Sequence, residues 1–256
     1  MYLINNCMAC RSYNVEFKYA FLDRFVVSRA TGVDTLSNRP IHAIVCQDCT
    51  WVGTDARLDD TEMSRYYLDY RGKEYTETRI ELNPYYAAVS KTFDTEEEIE
   101  RRLVGLNYLI DRNPDLNNIK TLLDFGGNDG KYIPEFNSNV KKYVYDISDK
   151  PVQPGIEKLG LNSDLKFDFV MCCHVLEHES DPDRVLQQVL NFGHLDTTFY
   201  FEVPNFDCPP LPHGIFHEHL SIFNGYSIGQ FFLRHRLRIV DSVQYSDYIG
   251  FLTSRQ

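Results

Sequence analysis

Three groups of side chains in this sequence have types and spacings that can do chemistry. Cys7-Met8-Ala9-Cys10 and Cys46-Gln47-Asp48-Cys49 are two C-x-x-C pairs, four thiolates at the spacing of zinc knuckles. A tetrahedral four-cysteine zinc site is the usual use of two such pairs in a reducing compartment, with free thiols or redox-active pairs as the competing uses. The 35 residues between the pairs are more than a minimal ribbon needs, and loops inside zinc modules accept insertions. A module this small could hardly bury enough core unaided, so zinc would add to its folding free energy.

The second group is a glycine turn with an acid beyond it. Leu122-Leu123-Asp124-Phe125-Gly126-Gly127-Asn128-Asp129-Gly130 ends a buried strand in a tight turn, where Gly126 and Gly130 let a ligand approach the backbone. Asn128 stands where a second glycine is common and tolerates left-handed backbone angles. Alone, this is also the pattern of a plain strand-to-helix turn. Val144-Tyr145 then runs into Asp146, 22 positions after Asp124, where a carboxylate can accept hydrogen bonds from both ribose hydroxyls. A dinucleotide site would carry G-x-G-x-x-G and set the pyrophosphate on a helix N-terminus. The tighter G-x-N-x-G, with Asp129 at the anion position, suits a nucleoside without phosphates.

The third group combines imidazoles and carboxylates: His174-Val175-Leu176-Glu177-His178, and His217-Glu218-His219 after a proline-rich loop. Histidine takes a proton near neutral pH and a neighbouring carboxylate can fix its tautomer, so these types suit a general base. H-x-x-E-H is also an inverted metallopeptidase motif, but that chemistry needs both histidines on one helix face. Here His174 leaves an apolar strand and Asp181-Pro182 starts the next helix, so the five residues span a strand end and a loop. His217 and His219 could equally be loop or capping residues that hold the proline-rich segment. A metal held by Cys208, His213, His217 and His219 matches no common zinc spacing.

The elements that must position these groups follow from periodicity. Phe17, Tyr19, Phe21 and then Ile41, Ala43, Val45 alternate as short strands in a β-rich module over residues 1–55. Residues 56–92 form a bridge whose six tyrosines, Tyr66, Tyr67, Tyr70, Tyr75, Tyr85 and Tyr86, follow no regular period. Thr95 with Glu98 makes a capping box, and Ile99, Leu103, Leu106 and Ile110 give an amphipathic helix that Pro114 stops. From Lys120 onward, apolar runs at 121–125, 143–145, 167–172, 198–203, 239–243 and 249–252 have the pattern of a mostly parallel sheet. Helices are expected from Asp181-Pro182 and near Ser227 to His235. With 26 Lys+Arg against 37 Asp+Glu and a net charge of -11, and no basic patch, a nucleic-acid partner is not expected. No apolar run spans a bilayer and Met1 to Cys10 lacks a secretion-signal pattern, so no membrane partner and a cytoplasmic location are expected.

Through 124–130 and then Phe167-Asp168-Phe169-Val170-Met171-Cys172-Cys173-His174-Val175-Leu176-Glu177-His178, residues 93–256 resemble the class I S-adenosylmethionine-dependent methyltransferases. The resemblance implies an α/β fold: a Rossmann-like, mostly parallel seven-stranded sheet with helices on both faces, here joined to the small N-terminal zinc module. It implies S-adenosylmethionine as cofactor, with Gly126, Asn128 and Gly130 around its methionine part, beside Asp124 and Gly127, and Asp146 on the ribose. The backbone near Cys173 and His174 would line the floor. Two departures stand out. The short span from Asp146 to Phe167 leaves Asn162, Ser163 and Asp164 as weak adenine contacts, and Pro134 limits the helix after the turn.

The four-cysteine module, tyrosine bridge and H-E-H-L segment further resemble the sugar C-methyltransferases. That likeness implies Glu218, His219 and His178 as acceptor-site residues, with Tyr70 reaching in from the bridge; packing between domains is the alternative use of the tyrosines. The expected function is methyl transfer to a small polar acceptor, such as a nucleotide-linked sugar, at carbon or oxygen. The alternatives are a non-catalytic methyltransferase-like module docking a partner through its zinc site, and an O- or N-methyltransferase of a non-sugar small molecule.

Overall fold

A computed structural model describes residues 1–93, 95–136, 139–205 and 214–256. The N-terminal segment contributes β1 (Tyr2–Leu3), β2 (Val15–Leu22), helix α1 (Arg24–Thr31), β3 (Arg39–Cys46), β4 (Val52–Thr54) and β5 (Ala56–Arg57). Three short helices follow, α2 (Asp60–Tyr67), α3 (Lys73–Leu82) and α4 (Tyr86–Val89), and then the long α5 (Glu96–Arg112). Next come β6 (Thr121–Phe125), β7 (Lys141–Tyr145), β8 (Ile156–Lys158), β9 (Phe167–Cys173), α6 (Pro182–Asn191) and β10 (Gly193–Pro204). The chain ends in β11 (Ile215–Phe216), β12 (Ser221–Ile222), α7 (Gly225–Arg234), β13 (Leu237–Gln244) and β14 (Tyr248–Arg255).

Seven strands form one sheet in the order β13-β14-β10-β9-β6-β7-β8. β6 to β10 pair in parallel, and β14 runs antiparallel to both of its neighbours. The strands read as continuous apolar runs because both faces are covered. Leu123, Phe125, Val170, Cys172, Phe199 and Phe201 turn to one face, under α6 and α7. Leu122, Phe169, Met171, Tyr200 and Leu252 turn to the other, against Leu106, Leu109 and Ile110 of α5. This is the Rossmann-like arrangement expected from the sequence. The chain leaves β6 toward β7 on one side and returns to β9 on the other, so the crevice for a ligand lies beyond the carboxyl ends of β6 and β9.

The expected helices are present with their caps. Thr95 accepts the Glu98 N–H at 3.2 Å, and Asp181 caps α6 with Pro182 in its first turn. β8 was not expected: three residues, Ile156-Glu157-Lys158, with a single half-buried apolar side chain carry too little pattern. The tyrosine bridge is also more regular than its sequence, forming α2 to α4. Among residues 131–136 no helix follows the glycine turn, so the turn has no helix N-terminus above it, as Pro134 and Asp129 foreshadow.

A second sheet, ordered β11-β2-β3-β4-β12, joins the N-terminal strands to two from the far end of the chain. The aromatic stripe of β2 faces outward, with Phe17 and Tyr19 exposed, while Ala20 and Leu22 point inward. The H-E-H segment hangs between β11 and β12, so the N-terminal sheet holds it in place. Cys7, Cys46 and Cys49 lie in the same buried cluster as Leu186, Phe231 and Phe232, and Arg234 of α7 donates to the carbonyls of Met8 and Ala9, both at 3.0 Å. Among the described residues no helix is long and apolar enough to cross a membrane.

Candidate active site

A cavity of about 480 Å³ opens at the carboxyl ends of β6, β7 and β9. Of the residues singled out in the sequence, Asp124, Gly126, Gly127, Asn128, Asp146, Cys173, His174, His178, Glu218, His219 and Tyr70 line it. Gly130 lies behind the wall. It closes the turn through its N–H to the Gly127 carbonyl, and at its φ of 85° a Cβ would come within 2.6 Å of Ile156.

Backbone makes one half of the cavity. Gly126 and Asn128 both hold positive φ, 76° and 54°, and a Cβ on Gly126 would press to 2.5 Å from Val175. Asp146 fixes the turn from the next strand: its carboxylate accepts the Asn128 N–H at 2.9 Å and the Ser148 N–H at 2.8 Å. A carboxylate has about four acceptor positions, so two remain for the hydroxyls of a ligand. Ile147, next along and 65% exposed, offers an apolar face into the cavity. Asn162, Ser163 and Asp164 do not line it. Burial pushes the Asp124 carboxyl up to about 7, with Arg102 opposing and Asp146 adding to the rise.

His174 leaves β9 in a left-handed conformation, φ 53°, and both ring nitrogens meet carboxylates: Nε2 to Glu202 at 2.8 Å and Nδ1 to Glu177 at 3.2 Å. Burial disfavours its charge, but the two carboxylates outweigh burial and raise its pKa. Glu202 is further held by Tyr200, whose hydroxyl donates at 2.6 Å, and by Arg102 at 3.4 Å. Arg102 stacks 4.0 Å from the Tyr132 ring, and Tyr132 donates to Glu98 at 3.0 Å. Arg102 and Tyr132 had no signal in the sequence beyond their place before and after the turn, and Glu98 had only that of a helix-capping residue. His174 and His178 share no helix, since residues 174–180 are turn and bend, so the metallopeptidase geometry is missing.

Side chains from distant segments make the other half. The His178 and His219 rings meet edge to face at 4.6 Å, and Nδ1 of His178 lies 3.2 Å from the Glu218 carbonyl oxygen. A carbonyl only accepts, so Nδ1 carries the proton and Nε2 of neutral His178 keeps its lone pair. Burial, together with His178, lowers His219 to about 4, which keeps it neutral near pH 7. Glu218 is ion-paired with Arg79 of α3, and Tyr66 donates to it at 3.4 Å. Burial works against its charge, yet Arg79 holds the carboxyl at about 2. Tyr70 closes the wall against Tyr67 and Tyr75, both ring centroids at 5.1 Å. His217 instead faces Asp23 at 3.1 Å. Cys208 and His213 lie outside the described residues.

Away from the cavity, the ligand atoms of Cys7, Cys10, Cys46 and Cys49 all lie within 4.8 Å of one another, with Cys7 to Cys49 at 3.5 Å and Cys10 to Cys46 at 3.6 Å. Zn–S bonds of about 2.3 Å in a tetrahedron imply S···S edges of about 3.8 Å, so the donor set is compatible with zinc. The Cys10 and Cys49 N–H groups point at the Cys7 and Cys46 sulfurs, 3.4 Å each, as knuckle turns require.

A seven-stranded sheet in this order, a glycine turn at its switch point and an acid ending the next strand define the S-adenosylmethionine-dependent methyltransferase class. A family model described as a methyltransferase domain matches residues 96–241, and the chain belongs to that family. It is an enzyme of the class I S-adenosylmethionine-dependent type, which sets aside the non-catalytic docking module. Among solved structures, 1,6-didemethyltoxoflavin-N1-methyltransferase of Burkholderia thailandensis, with its acceptor and S-adenosylhomocysteine bound, matches with a TM-score of 0.53 at 13% identity. That match covers 82% of this chain and 97% of the other. An S-adenosylmethionine-dependent methyltransferase of Clostridium acetobutylicum matches with a TM-score of 0.46 at 13% identity, over 67% of this chain and 98% of its own. No curated protein sequence matches the chain.

Proposed function

We propose that the cavity binds S-adenosylmethionine beside a small polar acceptor, an activated nucleotide-linked sugar, which is methylated at carbon or oxygen. The observation that carries this is the pairing of His178, its tautomer fixed by the Glu218 carbonyl, with neutral His219 in the cavity that also holds the glycine turn and Asp146. Gly126, Gly127, Asn128 and Asp124 cradle the methionine part, Asp146 takes the ribose, and Cys173 and His174 form the floor. When bound, the cofactor supplies an electrophilic methyl group on a sulfonium centre. The chain's own work is alignment and removal of one acceptor proton. His178 Nε2 accepts that proton, while His219 and Tyr70 orient the acceptor. Glu218, anchored by Arg79, holds the His178 ring at its angle. For a carbon acceptor the same cluster would steady an enolate oxygen.

The layout that fits this reading is a zinc-bound module over 1–55, a bridge over 56–92 that walls the acceptor side, and the methyltransferase domain over 93–256, in the manner of sugar C-methyltransferases. Zinc held by Cys7, Cys10, Cys46 and Cys49 is structural. The aromatic walls of Tyr67, Tyr70 and Phe93 favour a second reading, an aromatic non-sugar acceptor methylated at oxygen or nitrogen. Incubation with S-adenosylmethionine and a panel of nucleotide sugars, with mass detection of products, tests the choice. A methylated nucleotide sugar, lost in His178→Ala, supports the first reading; methylation of aromatic acceptors alone supports the second.

A further inference from the structure

Among the described residues four Arg and Lys side chains line the cavity: Arg71, Arg101, Arg102 and Lys150. Arg101 is paired with Asp247 and Arg102 with Glu202, so their charges are answered within the protein. Arg71 has no carboxylate at ion-pair distance among the described residues. Its guanidinium instead lies 4.0 Å from the Phe93 ring centroid and 5.1 Å from that of Tyr70. Two aromatic faces hold it as a plane; the Tyr70 hydroxyl takes one N–H, and the others have no carboxylate at ion-pair distance among the described residues. The turn that presents it is unusual. Asp69 and Arg71, between α2 and α3, both take positive φ, 51° and 56°, a conformation that persists only where the surroundings impose it.

We propose that Arg71 is the anion-binding residue of the acceptor site, so that the enzyme takes an acceptor bearing an oxyanion, a phosphoryl or a carboxylate group. This rests on the reading of the cavity as an acceptor site and deepens it. A planar guanidinium fork on an aromatic platform matches the paired oxygens of either group bidentately, which a lysine cannot reproduce. Lys150 lines the same cavity with no carboxylate partner among the described residues and adds a second positive charge. With a chain charge of -11, long-range attraction does not bring an anion here, so recognition depends on these local contacts and weakens as salt rises.

The test is calorimetric titration of the full chain, saturated with S-adenosylhomocysteine, using UDP as a phosphoryl probe and glucuronate as a carboxylate probe. Wild type binds at least one probe. Arg71→Gln weakens it tenfold or more, Arg71→Lys retains part of the affinity, and S-adenosylhomocysteine binding is unchanged in both variants. Which probe binds identifies the source of the oxyanion. The inference is overturned if neither probe binds the wild type, or if Arg71→Gln binds as the wild type does. Tight UDP binding through Arg71 without methylation of any nucleotide sugar would instead sink the sugar reading and leave Arg71's role standing.

Discussion

The two halves of the cavity are built in opposite ways. The half proposed for the cofactor comes mainly from one short stretch, residues 124–148, floored by Cys173 and His174, and its polar contacts are largely backbone: the glycine turn, the Asn128 N–H and the Ser148 N–H around Asp146. The half proposed for the acceptor assembles side chains from α2, α3, the loop after β9 and the segment between β11 and β12, and charge holds it together. Arg79 and Glu218 are 139 positions apart, and His178 and Glu218 are 40 apart. A binding site made of backbone tolerates sequence change as long as the turn forms. A site made of long-range side-chain pairs depends on every element that carries one.

The largest test of that difference is the cysteine cluster. Cys46→Ser with Cys49→Ser should remove one zinc per chain, as elemental analysis would show. Structural zinc contributes on the order of 10 kcal/mol in small modules, comparable with the whole stability of a domain. Because β2 and β4 carry β11 and β12, the acceptor half should fail first, with turnover lost and the melting temperature lowered. An unchanged metal content would remove the zinc assignment.

Next in size is His178→Ala, which should lower kcat roughly a hundredfold or more, the usual range for a general base. Asp146→Ala should act on the other half, weakening S-adenosylhomocysteine by about 3 kcal/mol for two charge-assisted hydrogen bonds, and leave kcat at saturating cofactor much less affected. Should the two variants show the same split between kcat and KM, the division into halves would be wrong.

The sheet, the glycine turn and the place of Asp146 at the cavity were legible in the sequence because their signals are local: apolar runs buried on both faces, a glycine turn, and an acid at the next strand end. The acceptor half was legible only by residue type. Tyr70, His178, Glu218 and His219 stood out, but Arg79, which pairs with Glu218, and Arg102, which pairs with Glu202 beside His174, did not, since each pairs across a distance that no periodicity records. α3 shows why the bridge read as irregular. Its buried side chains are Tyr75 and Arg79, one turn apart, so a charge sits where pattern reading looks for an apolar residue. The cysteines' place in the main core was equally hidden, because it depends on contacts with α6 and α7.

Acidification gives a smaller but sharper contrast. The folded-state pKa of His219 is depressed from 6.5 to about 4, so the unfolded chain binds the extra proton first, and stability falls as pH drops from 6.5 to 4. The loss is on the order of 3 kcal/mol. Glu177 and Glu218, held at about 2 from an ordinary 4.5, extend the loss below pH 4.5 in the same direction. Urea denaturation at stepped pH should show this slope, and His219→Gln should flatten the upper part of it.

The division of the cavity is tested most directly by calorimetric titration of S-adenosylhomocysteine into wild type, Asp146→Ala and His178→Ala under one set of conditions. Tight binding to wild type and His178→Ala, with binding to Asp146→Ala weakened roughly a hundredfold, is the expected result. Absence of binding to the folded wild type, or equal affinity in all three proteins, would contradict the proposed placing of the cofactor in the half built around residues 124–148.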